Sequence, residues 1–458
     1  MKEEWFKHPT NLVDLFEDTV NKIPNRPWIG EQNAAGEYEW TTFKEASDRV
    51  DNLRAGLAQI GVEKDDPVGL IIDNSLEWAI IAFATYGLGA RLIPMYEREL
   101  EKVWRYIVED STVKVLFVVD EDVYEKTKHY EDEIDTLEHM YLIRGEGENT
   151  MAKLEELGSK NPIPSVKPHW SDIAGLIYTS GTTGDPKGVL LSHGNFTSNV
   201  RAAHAGYPDV NEEDVSFGIL PWAHSFGQTA ELYHGLYCGA AVGLMKSVDT
   251  LTDDIAKVKP TILVAVPRIF NKVYAGIHNK LEEEGKGDLL ELAKETAAKK
   301  RKGEKRGLKG RLIAWIVFKK IRALFGGRLR YAITGSAVMN PEIAQFFIDV
   351  GIPTFDCYGL TETTPALTMN TPAENKLGTV GKPIQDVTVV IDKSRVGEDS
   401  DDGEIICYGP NVMQGYHNKP AKTAEVMVED EELGRGVRTG DRGRLDEDGF
   451  LHITGRFK

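Results

Sequence analysis

Only three cysteines, Cys238, Cys357 and Cys407, occur in 458 residues; they lie far apart and form no CxxC pair. That scarcity excludes a disulfide framework, argues against a zinc site and fits a reducing compartment. Basic residues fall short of acidic ones, 54 against 72, for a net charge of −18. So large an excess of negative charge excludes global non-specific binding to nucleic acid. The N-terminus, Met1 to His8, lacks the apolar core of a secretory signal. Long apolar runs are also missing. The longest uncharged one, Trp78 to Ala90, is too short to cross a bilayer and reads as a buried core helix. What is present is a hydrophobic fraction of 41%, sufficient for a core in two or three domains or one large multi-lobed one.

Up to about residue 170, strand patterns alternate with helical ones. Val68–Ile72 and Val113–Val119 read as buried strands; Asn11–Phe16 has helical spacing, Thr42 with Glu45 forms a capping-box signature, and Asn74–Glu77 opens a helix. The alternation resumes with short strands at Phe217–Leu220, Ile262–Val266, Leu329–Ile333 and Thr354–Phe355. Such alternation predicts a largely parallel, doubly wound sheet. After about residue 378, Val387–Ile391, Gly403–Cys407 and Phe450–Ile453 are strands between Gly/Asp turns, which predicts a small β-rich lobe. Between Lys294 and Arg330, lysines and arginines far outnumber Glu295 and Glu304. Leu308, Leu312, Trp315, Ile316, Ile321, Leu324 and Phe325 form one apolar helical face there. The face reads as docked on the core with a solvated basic side, with a helix lying on an anionic membrane as the alternative.

The densest local signal is Tyr178-Thr-Ser-Gly-Thr-Thr-Gly-Asp-Pro-Lys-Gly188, flanked by the apolar segments Ile173–Ile177 and Val189–Leu191. The pattern predicts a buried strand, an exposed loop and a second buried strand. Glycines let backbone N–H groups approach an anion, hydroxyls add donors and Lys187 adds a full positive charge, so the loop suits a polyphosphate. It is not a Walker loop, because Lys187 is followed by Gly188 rather than Ser or Thr and no helix pattern opens there. At every fixed position the string resembles the phosphate loop of AMP-forming, adenylate-forming enzymes, the group of acyl-CoA synthetases, luciferases and peptide-synthetase adenylation domains.

Further motifs in order strengthen that resemblance. Leu220-Pro-Trp-Ala-His-Ser-Phe-Gly227 is similar to the family's acyl-pocket motif, with His224 bordering the acyl group; no acidic residue between Leu220 and Gln228 is available to hold a substrate amino group. Thr334-Gly-Ser-Ala337 resembles the short glycine loop beside adenine and acyl group, and Asp356-Cys-Tyr-Gly-Leu-Thr-Glu362 the Tyr-Gly-x-Thr-Glu signature, with Cys357 where glycine is common. Arg438-Thr-Gly-Asp441 and Gly455-Arg-Phe-Lys458 are similar to the ribose-binding and hinge motifs. Val266-Pro-Arg-Ile-Phe-Asn-Lys272, the helical insertion after it and Ile93-Pro-Met-Tyr96 resemble the long-chain acyl-CoA synthetase branch, whereas Gln228 stands where some members carry a gating tryptophan.

The resemblance implies an α/β fold of two doubly wound, mostly parallel sheets flanked by helices plus a small barrel-like β-rich lobe. Approximate lobes fall at 1–170, 171–377 and 378–454, with 455–458 opening a hinge. It implies Thr179, Ser180, Gly181, Thr182, Thr183, Gly184 and Lys187 around the phosphates. Gly335, Ser336, Ala337, Asp356, Cys357, Tyr358 and Gly359 would lie around adenine, and Asp441, Arg456 and Lys458 at the ribose and hinge. Catalysis would fall to Lys187, Thr361 and Glu362, Mg²⁺ to Thr179 and Glu362, and the acyl group to His224, Gln228 and Gly335. The implied reaction joins a carboxylate, by resemblance a long-chain fatty acid, to ATP and then to CoA. The alternatives kept open are a carrier-protein-dependent acyl-AMP ligase, a medium-chain or aromatic acid ligase, and a non-catalytic nucleotide- or lipid-binding module. A cytoplasmic protein is expected, with peripheral membrane contact through residues 294–330 and a homodimer as open options. Family members continue beyond the hinge, so the expectation is an N-terminal core without the C-terminal domain, binding ATP and acyl-adenylate but impaired in turnover.

Overall fold

The apolar run at Trp78 folds as the helix Leu76–Tyr86, buried along its length and started by Ser75, whose hydroxyl accepts from the Trp78 N–H at 3.2 Å. The capping box at Thr42 is also formed. The Thr42 N–H donates to the Glu45 carboxylate at 2.8 Å and the Glu45 N–H to the Thr42 hydroxyl at 3.2 Å, starting the helix Phe43–Gln59. The structure, a computed structural model, describes residues 2–179, 185–397 and 400–457.

Four sheets form among the described residues. The largest runs in the order Gly415–Tyr416, Lys187–Ser192, Ile173–Thr179, Arg91–Met95, Pro67–Ile71, Val115–Val118, His139–Leu142. Its last five strands are parallel, and Ile173–Thr179 pairs antiparallel with Lys187–Ser192. The sequence pattern does not mark Arg91–Met95, because Pro94 lacks an N–H and disfavours a central strand. It is tolerated because the strand pairs with Ile173–Thr179 only at Leu92, so no ladder bond is asked of Pro94 on that side.

A second body of sheet is built from two pieces. Tyr38–Thr42, Pro27–Gln32, Ala241–Leu244 and Val215–Gly218 form one; Ile262–Ala265, Tyr331–Thr334, Thr354–Gly359, Ala366–Met369 and Lys382–Pro383 form the other. Their edges meet where the Thr261 N–H donates to the Val215 carbonyl at 2.8 Å. Parallel pairing dominates in the first; in the second, the first three strands are parallel and the last two join antiparallel. The β-rich lobe expected after residue 378 is an open antiparallel sheet of Thr388–Asp392, Gly403–Tyr408, Gly434–Leu445, Met427–Asp430 and Leu451–Arg456. Among the described residues it does not close as a barrel.

The basic insertion folds as two helices, Gly287–Arg301 and Leu308–Leu324. The single apolar face expected of the second helix is corrected by the structure. Ala314, Val317, Phe318 and Ile321 face the core, with Phe325 just beyond them, while Leu308, Leu312, Trp315, Ile316 and Leu324 are exposed. The helix carries apolar side chains on opposite sides, and the core takes the set that reaches Phe270, Phe346 and Phe347.

Candidate active site

Lys187 begins the second strand of the phosphate-loop hairpin, directly opposite Thr179. Ser180 to Gly184 lie outside the described residues, as does Lys458. The paired ends nevertheless anchor the loop on the central sheet, as the strand–loop–strand pattern predicts. The Lys187 ammonium sits 4.4 Å from the centre of the Tyr416 ring. The Tyr416 hydroxyl donates to the Glu362 carboxylate at 2.7 Å. Burial and the adjacent Glu362 charge both push the Tyr416 phenol far above its ordinary range, so it remains a donor.

Glu362 lies in the 3₁₀ turn Thr361–Thr363, which follows the strand Thr354–Gly359. The turn is held from behind by two buried amides. Asn199 donates to the Ala366 carbonyl at 2.8 Å, and Asn411 donates to the carbonyls of Thr363 at 3.0 Å and Ala366 at 2.8 Å. The Met413 N–H donates to the Glu362 carbonyl at 3.0 Å. In front, the Ser225 hydroxyl donates to that of Thr361 at 3.2 Å. The acyl-pocket motif therefore touches the Thr-Glu signature.

The same strand carries Tyr358, whose hydroxyl donates to the Asp441 carboxylate at 2.6 Å. Asp441 is in the strand Gly434–Leu445 rather than in the turn its Thr-Gly-Asp sequence suggests. The strand bulges there. Glu404 pairs with Arg442 and Ile406 with Arg438, leaving Thr439, Gly440 and Asp441 opposite Ile405 alone. Gly440 takes φ +71°, which glycine adopts without strain, and the bulge re-aims the carboxylate. Arg456 pairs across the ladder with Asp441, its Nε 3.5 Å from the carboxylate, and extends into solvent.

The glycine loop closes the other side. Asp356 accepts from the Thr334 hydroxyl and, at 3.1 Å, from the Met339 N–H, so it fixes both ends of the loop holding Gly335, Ser336 and Ala337. A Cβ on Gly335 would lie 2.8 Å from the Phe226 ring and 3.1 Å from the Cys357 sulfur, so the close approach requires glycine. Cys357 lies buried beneath the loop, its thiol pushed up to about 12 by burial. His224 is exposed, with its ring 6.2 Å from that of Tyr96. Gln228 is buried and donates to the Tyr233 hydroxyl at 2.8 Å, with Tyr86 beside it at 3.4 Å. A cavity of 630 Å³ opens beyond Pro221, lined in part by Asp73, Asn74, Tyr96 and Glu97. Its charged walls do not suit an apolar chain.

Contacts thus run from Lys187 through Tyr416 to Glu362, and from Tyr358 to Asp441 and Arg456, with Ser225 and Phe226 between the two loops. The model of the AMP-binding enzyme family matches residues 16–417. The chain belongs to that family. It is 31% identical over 434 residues to the long-chain-fatty-acid–CoA ligase FadD15 of Mycobacterium bovis, covering 92% of this chain and 70% of the relative. The structure resembles a long-chain-fatty-acid-CoA ligase (FadD1) from Archaeoglobus fulgidus, with TM-score 0.78, 23% identity and coverage of 98% of this chain and 84% of that one. It also resembles the N-terminal domain of FACL13 from Mycobacterium tuberculosis, with TM-score 0.76, 20% identity and coverage of 98% and 100%. As a member of the AMP-binding family, the protein is an AMP-forming ligase of the adenylate-forming fold.

Sequence reasoning did not find two residues in this AMP-binding enzyme. Tyr416 lies beyond the signature motifs and reaches Glu362 only because Gly415–Tyr416 pairs with Leu190 and Val189. Glu231 is the other. It is buried in the π-helical segment Gly227–Tyr233, and neither carboxylate oxygen has a hydrogen-bond partner among the described residues. Its polar neighbours are the Trp222 indole and the backbone of Ile219 and Leu220, all under the acyl-pocket motif. Burial raises its pKa well above the usual carboxyl value, which favours the protonated form. An acid whose folded pKa is raised loses stability as pH rises above the unfolded value near 4.5. Glu231→Gln is therefore expected to gain stability relative to the native chain as pH increases. Urea unfolding at pH 5 and pH 8 checks this; a difference that does not grow with pH would contradict the raised pKa.

Proposed function

We propose that the protein is a fatty-acid CoA ligase of the AMP-forming type, acting on long-chain acids. The observation that carries this reading is the convergence of Lys187, Glu362 and Tyr358–Asp441 beside the pocket motif through Tyr416 and Ser225. The names of its relatives and the absence of an acidic residue between Leu220 and Gln228 support a fatty acid over an amino acid. One core cluster extends from Leu12 to Leu451, which supports residues 1–458 acting as one nucleotide-binding core with lobes near 1–170, 171–377 and 378–454.

In this mechanism a substrate carboxylate oxygen attacks the α-phosphorus of ATP, the bond to the β-phosphate oxygen breaks, and pyrophosphate leaves. The thiolate of CoA then attacks the acyl carbon and AMP leaves with the shared oxygen. Lys187 and Thr361 orient the phosphates, where positioning and charge neutralisation lower the barrier. Glu362 offers hard oxygen donors for Mg²⁺, with Thr179 on the paired strand, and the ion would supply charge neutralisation at the phosphates. Asp441 accepts the ribose hydroxyls and Arg456 supports it; Tyr358 packs on adenine beside Gly335, Ser336 and Ala337. His224 borders the acyl group, and Gln228 lies buried behind it. Calorimetric titration with Mg·ATP and with a long-chain acyl-sulfamoyl adenosine is expected to show one site for each. Failure to bind either would overturn the reading.

The exposed stripe of the helix Leu308–Leu324 supports peripheral membrane contact. Leu308 is 81% and Trp315 56% exposed, and with Leu312 and Ile316 they recur at helical spacing among Lys309, Arg311, Lys319 and Lys320. Among the described residues no helix is long and apolar enough to cross a membrane. Flotation with phosphatidylglycerol vesicles is expected to retain the native protein and lose most of a Leu312→Glu/Trp315→Glu variant. Equal flotation of the two would remove the stripe from the contact.

A further inference from the structure

Away from the nucleotide site, His204, His234 and Cys238 bring three metal-ligating atoms within 4.8 Å of one another. His204 projects from the helix His193–Gly206; His234 and Cys238 stand one turn apart on the helix His234–Cys238, where i and i+4 share a face. The Cys238 sulfur lies 3.5 Å from His204 Nδ1 and 3.4 Å from His234 Nε2. We propose that these three residues form a binding site for a zinc-class divalent cation, leaving the fourth position to water.

The distances support coordination geometry. Zinc–sulfur bonds of about 2.3 Å and zinc–nitrogen bonds of about 2.0–2.1 Å at tetrahedral angles place S and N about 3.5 Å apart. The donor set, one thiol and two imidazoles, suits borderline cations rather than Mg²⁺ or Ca²⁺. His234 is buried. The half-exposed His204 and Cys238 give an ion a way in. Binding forms a metal–sulfur bond and releases the Cys238 proton to solvent, with no redox change. Without metal, the same atoms would form only a hydrogen-bonded chain, with one thiol proton serving one of the two rings.

The site has a structural consequence. The helix carrying His204 also carries Asn199, which braces the turn behind Glu362, and the helix carrying Cys238 continues directly from the segment of Gln228. A bound cation would pin these two elements together.

Titration of chelator-treated full chain with Co²⁺ tests the proposal. One equivalent should produce a thiolate-to-cobalt charge-transfer band with tetrahedral d–d bands, and Zn²⁺ should erase them. Cys238→Ser should lose the charge-transfer band, Cys407→Ser should keep it, and His204→Gln should weaken binding at least about tenfold. Because the buried His234 risks misfolding on substitution, the half-exposed His204 is the informative histidine. Circular dichroism and acyl-sulfamoyl adenosine binding confirm that the variants fold. No band in the native protein, or one surviving in Cys238→Ser, would leave a hydrogen-bonded triad only and overturn the proposal.

Discussion

Glu362→Gln is expected to weaken Mg·ATP binding on the order of 100-fold while leaving acyl-sulfamoyl adenosine binding nearly unchanged. The two ligands share adenosine, but only ATP carries a polyphosphate that needs a cation. Glu362 already receives one hydrogen bond, from Tyr416, and its turn is braced by Asn199, Asn411 and Met413. The glutamine can keep the Tyr416 contact through its carbonyl, so what it removes is the negative charge. Calorimetry at zero and saturating magnesium reads the effect as loss of the magnesium dependence. Equal weakening of both ligands would show that Glu362 acts by shaping the pocket. Tyr416→Phe is the companion variant. It should give a smaller loss, because it frees Glu362 without removing the charge.

Asp441→Ala should weaken both ligands together, by at least about 100-fold, since two hydrogen bonds to a charged group are worth about 1.5–3 kcal/mol each. The Asp441 side chain is largely shielded, already accepts from the Tyr358 hydroxyl at 2.6 Å and lies beside Arg456. Alanine would also leave the half-buried Tyr358 hydroxyl without the Asp441 acceptor, which adds a stability cost unrelated to ribose. Asp441→Asn separates the two effects: it retains an acceptor for Tyr358 but lacks the charge to hold two hydroxyls. Competition binding with acyl-sulfamoyl adenosine, alongside thermal unfolding, measures both. Retained affinity in the asparagine variant would place the ribose elsewhere.

The nucleotide site was legible because its motifs are local. Tyr178–Gly188 places glycines, hydroxyls and a lysine within a few residues of one another, and the flanking apolar runs become the paired strands Ile173–Thr179 and Lys187–Ser192. The capping box of Thr42 with Glu45 and the helix start at Asn74–Glu77 were legible for the same reason, since the groups that open a helix lie within one turn. Other features were not. The sequence of Thr439–Asp441 reads as a turn, yet the chain bulges within a continuous strand because Gly403–Tyr408 pairs on both sides of it. The apolar residues of Leu308–Leu324 read as one face, whereas packing against Phe270, Phe346 and Phe347 selects one set and leaves Leu308, Leu312 and Trp315 outside.

By itself, the sequence determined which chemical groups are available for nucleotide and metal and the order of the strands and helices that carry them. Both follow from short-range spacing. Only the tertiary structure decided that Tyr416 would stand between Lys187 and Glu362, that Glu231 would be buried without a charged partner among the described residues, and that two histidines would flank Cys238. Those outcomes depend on residues far apart in the chain meeting in space, and on how much water remains around them, neither of which local periodicity encodes.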